Sequence, residues 1–162
     1  MNWKNIFTFV IAVITSAALY YFSTGFNNIW LLLWIAPIPI LLYILHAPIL
    51  ASCCASFAAY FLGSLSIWPY VKSGMPISYV FFMPVLISCV AFTLIAMLFR
   101  TAALKNKLYV LANFIFAGCW TLFEFLRSLI SVDGTYSSLA YTQLSDLSIA
   151  QVASRLIDSI VK

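Results

Sequence analysis

The chain has 162 residues, 65% of them hydrophobic and only 7% charged, where a soluble domain carries roughly a quarter of charged residues. A soluble fold of this length cannot bury so much apolar surface, so composition excludes a disordered protein and a soluble enzyme and points to lipid as the surrounding phase. The net charge of +4 comes from eight Lys or Arg and four Asp or Glu scattered in short breaks, not in the stripe that a nucleic-acid partner requires.

A membrane-crossing helix needs about 20 mainly apolar residues, and five stretches approach that. The first, residues 6–22 behind Lys4, resembles a signal-peptide core, but no small-x-small cleavage site closes it, so it is predicted as an uncleaved span. Residues 23–28 form a turn by composition. The second, 29–46, contains Pro37 and Pro39, each of which removes a backbone donor and disfavours helix at the residue before it. The freed carbonyls then need partners from neighbouring helices or water; a kinked span is favoured over a shallow hairpin. The third, 48–68, carries Ala51, Ser52, Ala55, Ser56, Ala59 and Gly63 at helical spacing, a face that permits close helix approach.

A break over 69–76 leads to the fourth stretch, 77–99, with Pro84 as a kink. The most basic break follows, with Arg100, Lys105 and Lys107, and then the fifth stretch, 108–127. Its hydrocarbon part ends near Phe123, because a charge at a helix centre costs roughly 2.5–3.5 kcal/mol and Glu124 and Arg127 come next. Lys4, Arg100, Lys105 and Lys107 fall on one side and Lys72 on the other, which places the N-terminus in the cytoplasm and the tail on the outer face. Trp30, Trp68, Tyr70, Tyr79 and Tyr109 lie near span ends, as interface anchors do. The expected fold is an all-α integral membrane protein: a bundle of about five transmembrane helices over 1–130, then an outer-face loop and tail over 131–162.

Within the tail, Ser148 and Gln151 form a capping-box pattern. Ile149, Val152, Leu156, Ile157 and Ile160 share one half of the wheel, with Arg155, Asp158 and Lys162 on the other. This is an amphipathic helix that lies on the membrane surface or packs on a partner.

Residues that carry chemistry are few. His46 stands alone at a span end. Cys53, Cys54, Cys89 and Cys119 sit in apolar runs with no metal-ligand spacing, as small apolar filler would. No cofactor or metal site is expected. Glu124 and Arg127 are three apart and share a helix face. They form a salt bridge that closes the helix, or Arg127 meets a lipid phosphate, or the pair orients the loop that follows. Two proline-broken runs also suit a small transport or channel subunit, although the spans hold almost no intramembrane charge; a non-enzymatic scaffold is the third option.

Trp120-Thr-Leu-Phe-Glu124-Phe-Leu-Arg127, then Gly134, then Leu139-Ala-Tyr141-Thr-Gln143, resembles the W-x3-EFLR…G…GYSQ stretch of bacterial apolipoprotein N-acyltransferases. Phe61-Leu-Gly63-Ser resembles that family's third span, and Trp68-Pro-Tyr70-Val with Gly74-Met75-Pro76 the segment after it. The similarity runs from about Trp30 to Ala153. It implies an inner-membrane protein of the pathway that moves an acyl chain from a phospholipid to the amino group of a lipoprotein's N-terminal cysteine. In the family, a nitrilase-like outer domain performs the transfer with a Glu–Lys–Cys triad and a thioester. No residue of this sequence matches that triad, and Gly134-Thr-Tyr-Ser stands where the family has Gly-Phe-Pro-Trp. The expectation is a membrane domain that stops before the later spans and is inactive alone: a truncated product, a degenerate copy, or the first half of a split gene that a second chain carrying the nitrilase-like domain would complete. Its implied partners are membrane phospholipid and, in the complete enzyme, the lipoprotein. Trp68, Tyr70, Trp120, Glu124, Arg127, Tyr141 and Gln143 are the expected lipid- or partner-binding residues, with none catalytic.

Overall fold

Apolar side chains without interruption favour helix in lipid, because a helix satisfies its own backbone. A computed structural model describes residues 3–24, 29–68, 83–107, 109–130, 139 and 151, and the described secondary structure is all helical. The protein is an all-α membrane protein. Helix α1 spans Trp3–Ser23. Its end is closed by side chains: the hydroxyls of Ser23 and Thr24 donate to the Tyr20 carbonyl at 3.0 and 2.8 Å. Thr24 Oγ1 also meets Ser66 Oγ at 2.6 Å, tying this end of α1 to the end of the third apolar run.

The proline-bearing run folds as α2, Trp30–Ile35, and α3, Ile38–His46. The residues between them keep right-handed helical angles, Ala36 at φ −52° and ψ −41° and Pro37 at φ −73° and ψ −22°. The interruption is therefore of the hydrogen-bond ladder more than of the path, and the shallow hairpin does not form. The neighbouring helix supplies a partner at the break: Ser16 of α1, fully buried, donates its hydroxyl to the Ala36 carbonyl. Helix α3 stops at His46 because Pro48 forces Ala47 into an extended conformation, φ −88° and ψ 155°. A carbonyl of its last turn and that of the capping Ala47 would be orphaned in the membrane. Arg100 takes both, with Nε donating to Ile44 O at 2.7 Å and Nη2 to Ala47 O at 2.9 Å.

Helix α4, Ile49–Ser64, opens after Pro48 and runs into a 3-10 turn, Leu65–Ile67. Helix α5 is Met83–Asn106 and α6 is Tyr109–Ile130. The expected boundary at Phe99 is moved. Arg100 and Lys105 belong to α5, which continues because the guanidinium is used against α3 rather than left to water. Pro84 falls in the first turn of α5 as described, and the helix after it is unbroken. Lys107 ends α5 in the left-handed region at φ 52°, its N–H returning to Ala103 O at 3.1 Å, so the chain turns into α6 almost at once.

Four helices among the described residues are long and apolar enough to cross a membrane: α1, α4 with its 3-10 turn, α5 and α6. The α2–α3 segment is shorter, about 25 Å at 1.5 Å per residue, at the low end of what spans. The helices alternate in direction. One end of the bundle gathers Lys4, His46, Arg100, Lys105 and Lys107, and is called here the cationic end; the other gathers Thr24, Ser66, Trp68 and Glu124.

The core lies between α1, α3, α4 and α5. The small face of α4 is where the spacing puts it: Ser52, Ala55, Ser56, Ala59 and Gly63 are buried, and α4 packs most extensively on α1. Towards the Glu124 end, rings replace small residues. Tyr60 and Phe92 stack at 5.0 Å, and Tyr20 of α1 meets both edge-on at 5.4 and 5.8 Å. Trp30, Trp68 and Tyr109 stand at helix ends, while Tyr70, Lys72, Tyr79 and the tail helix beginning at Ser148 lie outside the described residues, Gln151 excepted.

Candidate functional site

Helix α6 turns one face inward, and its residues recur every fourth position. Ala112 is buried, and Phe116, Trp120 and Glu124 are half-buried. The helical repeat of 3.6 makes residues four apart neighbours on one face. Trp120 therefore reaches Glu124, its indole Nε1–H donating to Glu124 Oε1 at 3.1 Å. The same oxygen accepts the backbone N–H of Leu139 at 2.9 Å, from fifteen residues further along the chain. One carboxylate oxygen thus holds a side chain of its own helix and a backbone amide of the segment beyond it.

The indole is itself held. Its ring lies 5.4 Å from Tyr60, 5.8 Å from Phe92 and 5.4 Å from Phe123. Phe116, one turn earlier, meets Phe92 edge-on at 5.8 Å and Phe99 at 6.4 Å. Through Tyr60 and Phe92 the contacts continue to Tyr20, so Glu124 is linked to rings from α1, α4 and α5. Aromatic pairs of this kind add about 0.5–1.5 kcal/mol each beyond the area they bury. A hydrogen bond to a charged group contributes roughly 1.5–3 kcal/mol. Chemically the arrangement positions rather than reacts: the carboxylate oxygen already accepts two donors.

Of the expected site residues, Trp120 and Glu124 are brought together. Arg127 is half-buried, one turn further on the same face. Trp68 stands at the same end of the bundle, after the 3-10 turn and 40% exposed. Tyr70, Tyr141 and Gln143 lie outside the described residues. The Leu139 amide and the Tyr20–Tyr60–Phe92 cluster join the site without a sequence signal. A backbone amide leaves no mark in sequence, and those three rings sit in three separate runs. The i, i+4 spacing of Phe116, Trp120 and Glu124 was the available signal for half of the site.

Cys89 is buried, Cys53 and Cys119 half-buried and Cys54 exposed, all as free thiols. Among the described residues no three His, Cys, Asp or Glu side chains group closely enough to hold a metal ion.

A family model described as apolipoprotein N-acyltransferase N-terminal domain matches residues 16–156. Neither a curated protein nor a solved structure matches the chain.

Proposed function

Because the chain belongs to the family of apolipoprotein N-acyltransferase N-terminal domains, we propose that it forms the membrane bundle of a phospholipid-to-lipoprotein acyltransferase in the bacterial inner membrane. The bundle seats the chain in the membrane, admits phospholipid from the side, and presents its Glu124 end to the domain that performs the transfer. That chemistry belongs to a nitrilase-like domain, whether on the same polypeptide or on another. The sequence supports this division. Its only glutamate is Glu124, already engaged with Trp120 and Leu139, and a thiol inside an apolar helix lacks the base or cation that makes it a nucleophile.

The observation that carries the reading is the Glu124 carboxylate, which fastens the segment at Leu139 to the end of α6. Trp68, Trp120 and Arg127 stand at that end of the bundle, and by the family resemblance Tyr70, Tyr141 and Gln143 join them in meeting phospholipid and partner. The excess of Lys and Arg at the cationic end supports a cytoplasmic N-terminus and an outward-facing Glu124 end. The α2–α3 break, a feature that suits a transport subunit, has its Ala36 carbonyl taken by Ser16, which supports a packing role.

The test is reconstitution in phospholipid vesicles with a lipoprotein peptide that carries a free N-terminal amine. The chain alone is expected to transfer no acyl group. Co-expression with the nitrilase-like domain and later spans restores transfer, Glu124→Ala lowers it, and Glu124→Gln, which keeps an acceptor oxygen, largely preserves it. Transfer by the chain alone, or full activity in Glu124→Ala, overturns the proposal.

A further inference from the structure

Helix α1 and the α2–α3 segment form one flank of the bundle, and that flank is short. The run from Trp30 to His46 has 17 residues, a rise of about 25 Å. It cannot stretch, because it is fastened along its length. The Ile29 N–H donates to Phe22 O at 3.1 Å, Ser16 donates to the Ala36 carbonyl, and Arg100 holds the carbonyls of Ile44 and Ala47. Tilt only lowers its height. Helix α1 offers no more: its apolar stretch between Asn5 and Ser23, residues 6–22, is also 17 residues long. The two are flush at both ends. Phe22 meets Ile29 at one end. Towards the other, the Phe9 and Tyr43 rings lie 5.9 Å apart and set the antiparallel register that brings Asn5 level with His46.

This flank faces lipid. Phe7 and Ile14 of α1 are exposed, as are Leu31, Trp34, Ile38 and Leu42 of the α2–α3 segment. The side chains that bound it are polar and short. Asn5 and His46 are exposed at the cationic end, and neither has the long stem with which Lys or Arg reaches back to the interface. At the Glu124 end, Ser23 and Thr24 turn their hydroxyls to Tyr20 O. The hydrocarbon of a typical bilayer is about 30 Å thick, so the flank falls short of it by about 5 Å. Helix α6, on the other side of the bundle, has 22 residues, about 33 Å, and a helix of that length meets an ordinary bilayer by a modest tilt.

We infer that the bundle thins the bilayer along its α1–α3 flank, to a hydrocarbon thickness of about 25 Å, and that this surface fits lipids with shorter acyl chains. Selection is by chain length and not by head group. It concerns the lipid that surrounds the bundle rather than an acyl donor, and it does not depend on the acyltransferase reading.

Tryptophan fluorescence tests it, since Trp34 is 65% exposed on this flank and brominated lipid quenches it on contact. The protein is reconstituted in mixtures of dibromostearoyl phosphatidylcholine with phosphatidylcholine whose chains are both myristoleoyl, palmitoleoyl, oleoyl or erucoyl, and relief of quenching reads the relative affinity for each. Affinity is expected to peak at myristoleoyl or palmitoleoyl chains, about two- to threefold above oleoyl, a preference in keeping with a mismatch of about 5 Å. Asn5→Leu combined with His46→Leu raises the apolar height of the flank at two exposed positions, where folding is not at stake, and is expected to move the peak to longer chains. Thr121→Leu on the exposed face of α6 leaves the peak in place. A peak at oleoyl or erucoyl chains in the parent protein, a peak that does not move in the doubly substituted protein, or one that moves equally in Thr121→Leu overturns the inference.

Discussion

Where α4 meets α1, the buried side chains of α4 are mostly Ser, Ala and Gly, and the backbones approach until a Cβ added at Gly63 would lie 2.4 Å from Tyr20 Cβ and 3.3 Å from the Ala17 carbonyl. Where α6 meets α5, the contacts are rings, while on the exposed face of α6 Gly118 has nothing within 4 Å of where its Cβ would be. In lipid no hydrophobic force draws helices together, so association rests on close packing and hydrogen bonds. The first seam uses many small contacts at short range. The second uses a few large rings, among them the Trp120 indole that Glu124 of the same helix holds, and leaves Val110, Phe114, Leu122 and Leu129 outward. The inner seam is close-packed, and the outer helix keeps a broad exposed apolar face.

The sharpest way to break this comparison is at Gly63. Even Gly63→Ala inserts an atom where helix α1 already stands, and overpacking of this kind costs typically about 1–3 kcal/mol. The value expected here is the upper end, since one close neighbour is backbone and the other is a Cβ, neither of which swings aside. Thermal unfolding in detergent micelles should show a clear fall in Tm. An unchanged Tm would mean that α1 and α4 are not in contact at this level.

A smaller effect is expected at Glu124. Removal of the carboxylate in Glu124→Ala leaves the Trp120 indole and the Leu139 amide without their acceptor, a loss of about 2 kcal/mol for a charge-assisted bond. Glu124→Gln keeps the oxygen and should lose less than half of that. The ratio of the two losses, read from unfolding in the same micelles, sharpens the comparison. If Gln is as damaging as Ala, charge rather than hydrogen-bond acceptance holds Trp120 and Leu139 at this end of α6.

These sites differ in how far they were legible. The spans were, because the length of an apolar run is a property of composition, and the small face of α4 was, because spacing along one helix is local. The Trp120–Glu124 pair is also local, an i, i+4 relation. Arg100 reads as loop in the sequence, because its reason for staying helical lies in the carbonyls of Ile44 and Ala47, more than fifty residues earlier. Ser16 is a similar case: the need for a donor at the proline break follows from chemistry, but which hydroxyl supplies it is a matter of packing.

Gly118, on the exposed face of α6, supplies the mildest test of how far the close packing at Gly63 extends. Glycine inside a helix is about 1 kcal/mol less favourable than alanine, and nothing described stands where the new methyl would go. Gly118→Ala should therefore raise stability by up to about 1 kcal/mol, opposite in sign to Gly63→Ala although the chemical change is identical. The same micelle unfolding measurement reads both. If Gly118→Ala instead destabilises, the outer face of α6 is pressed against another segment as closely as α4 is against α1, and the contrast between the close packing at Gly63 and the exposed face of α6 fails.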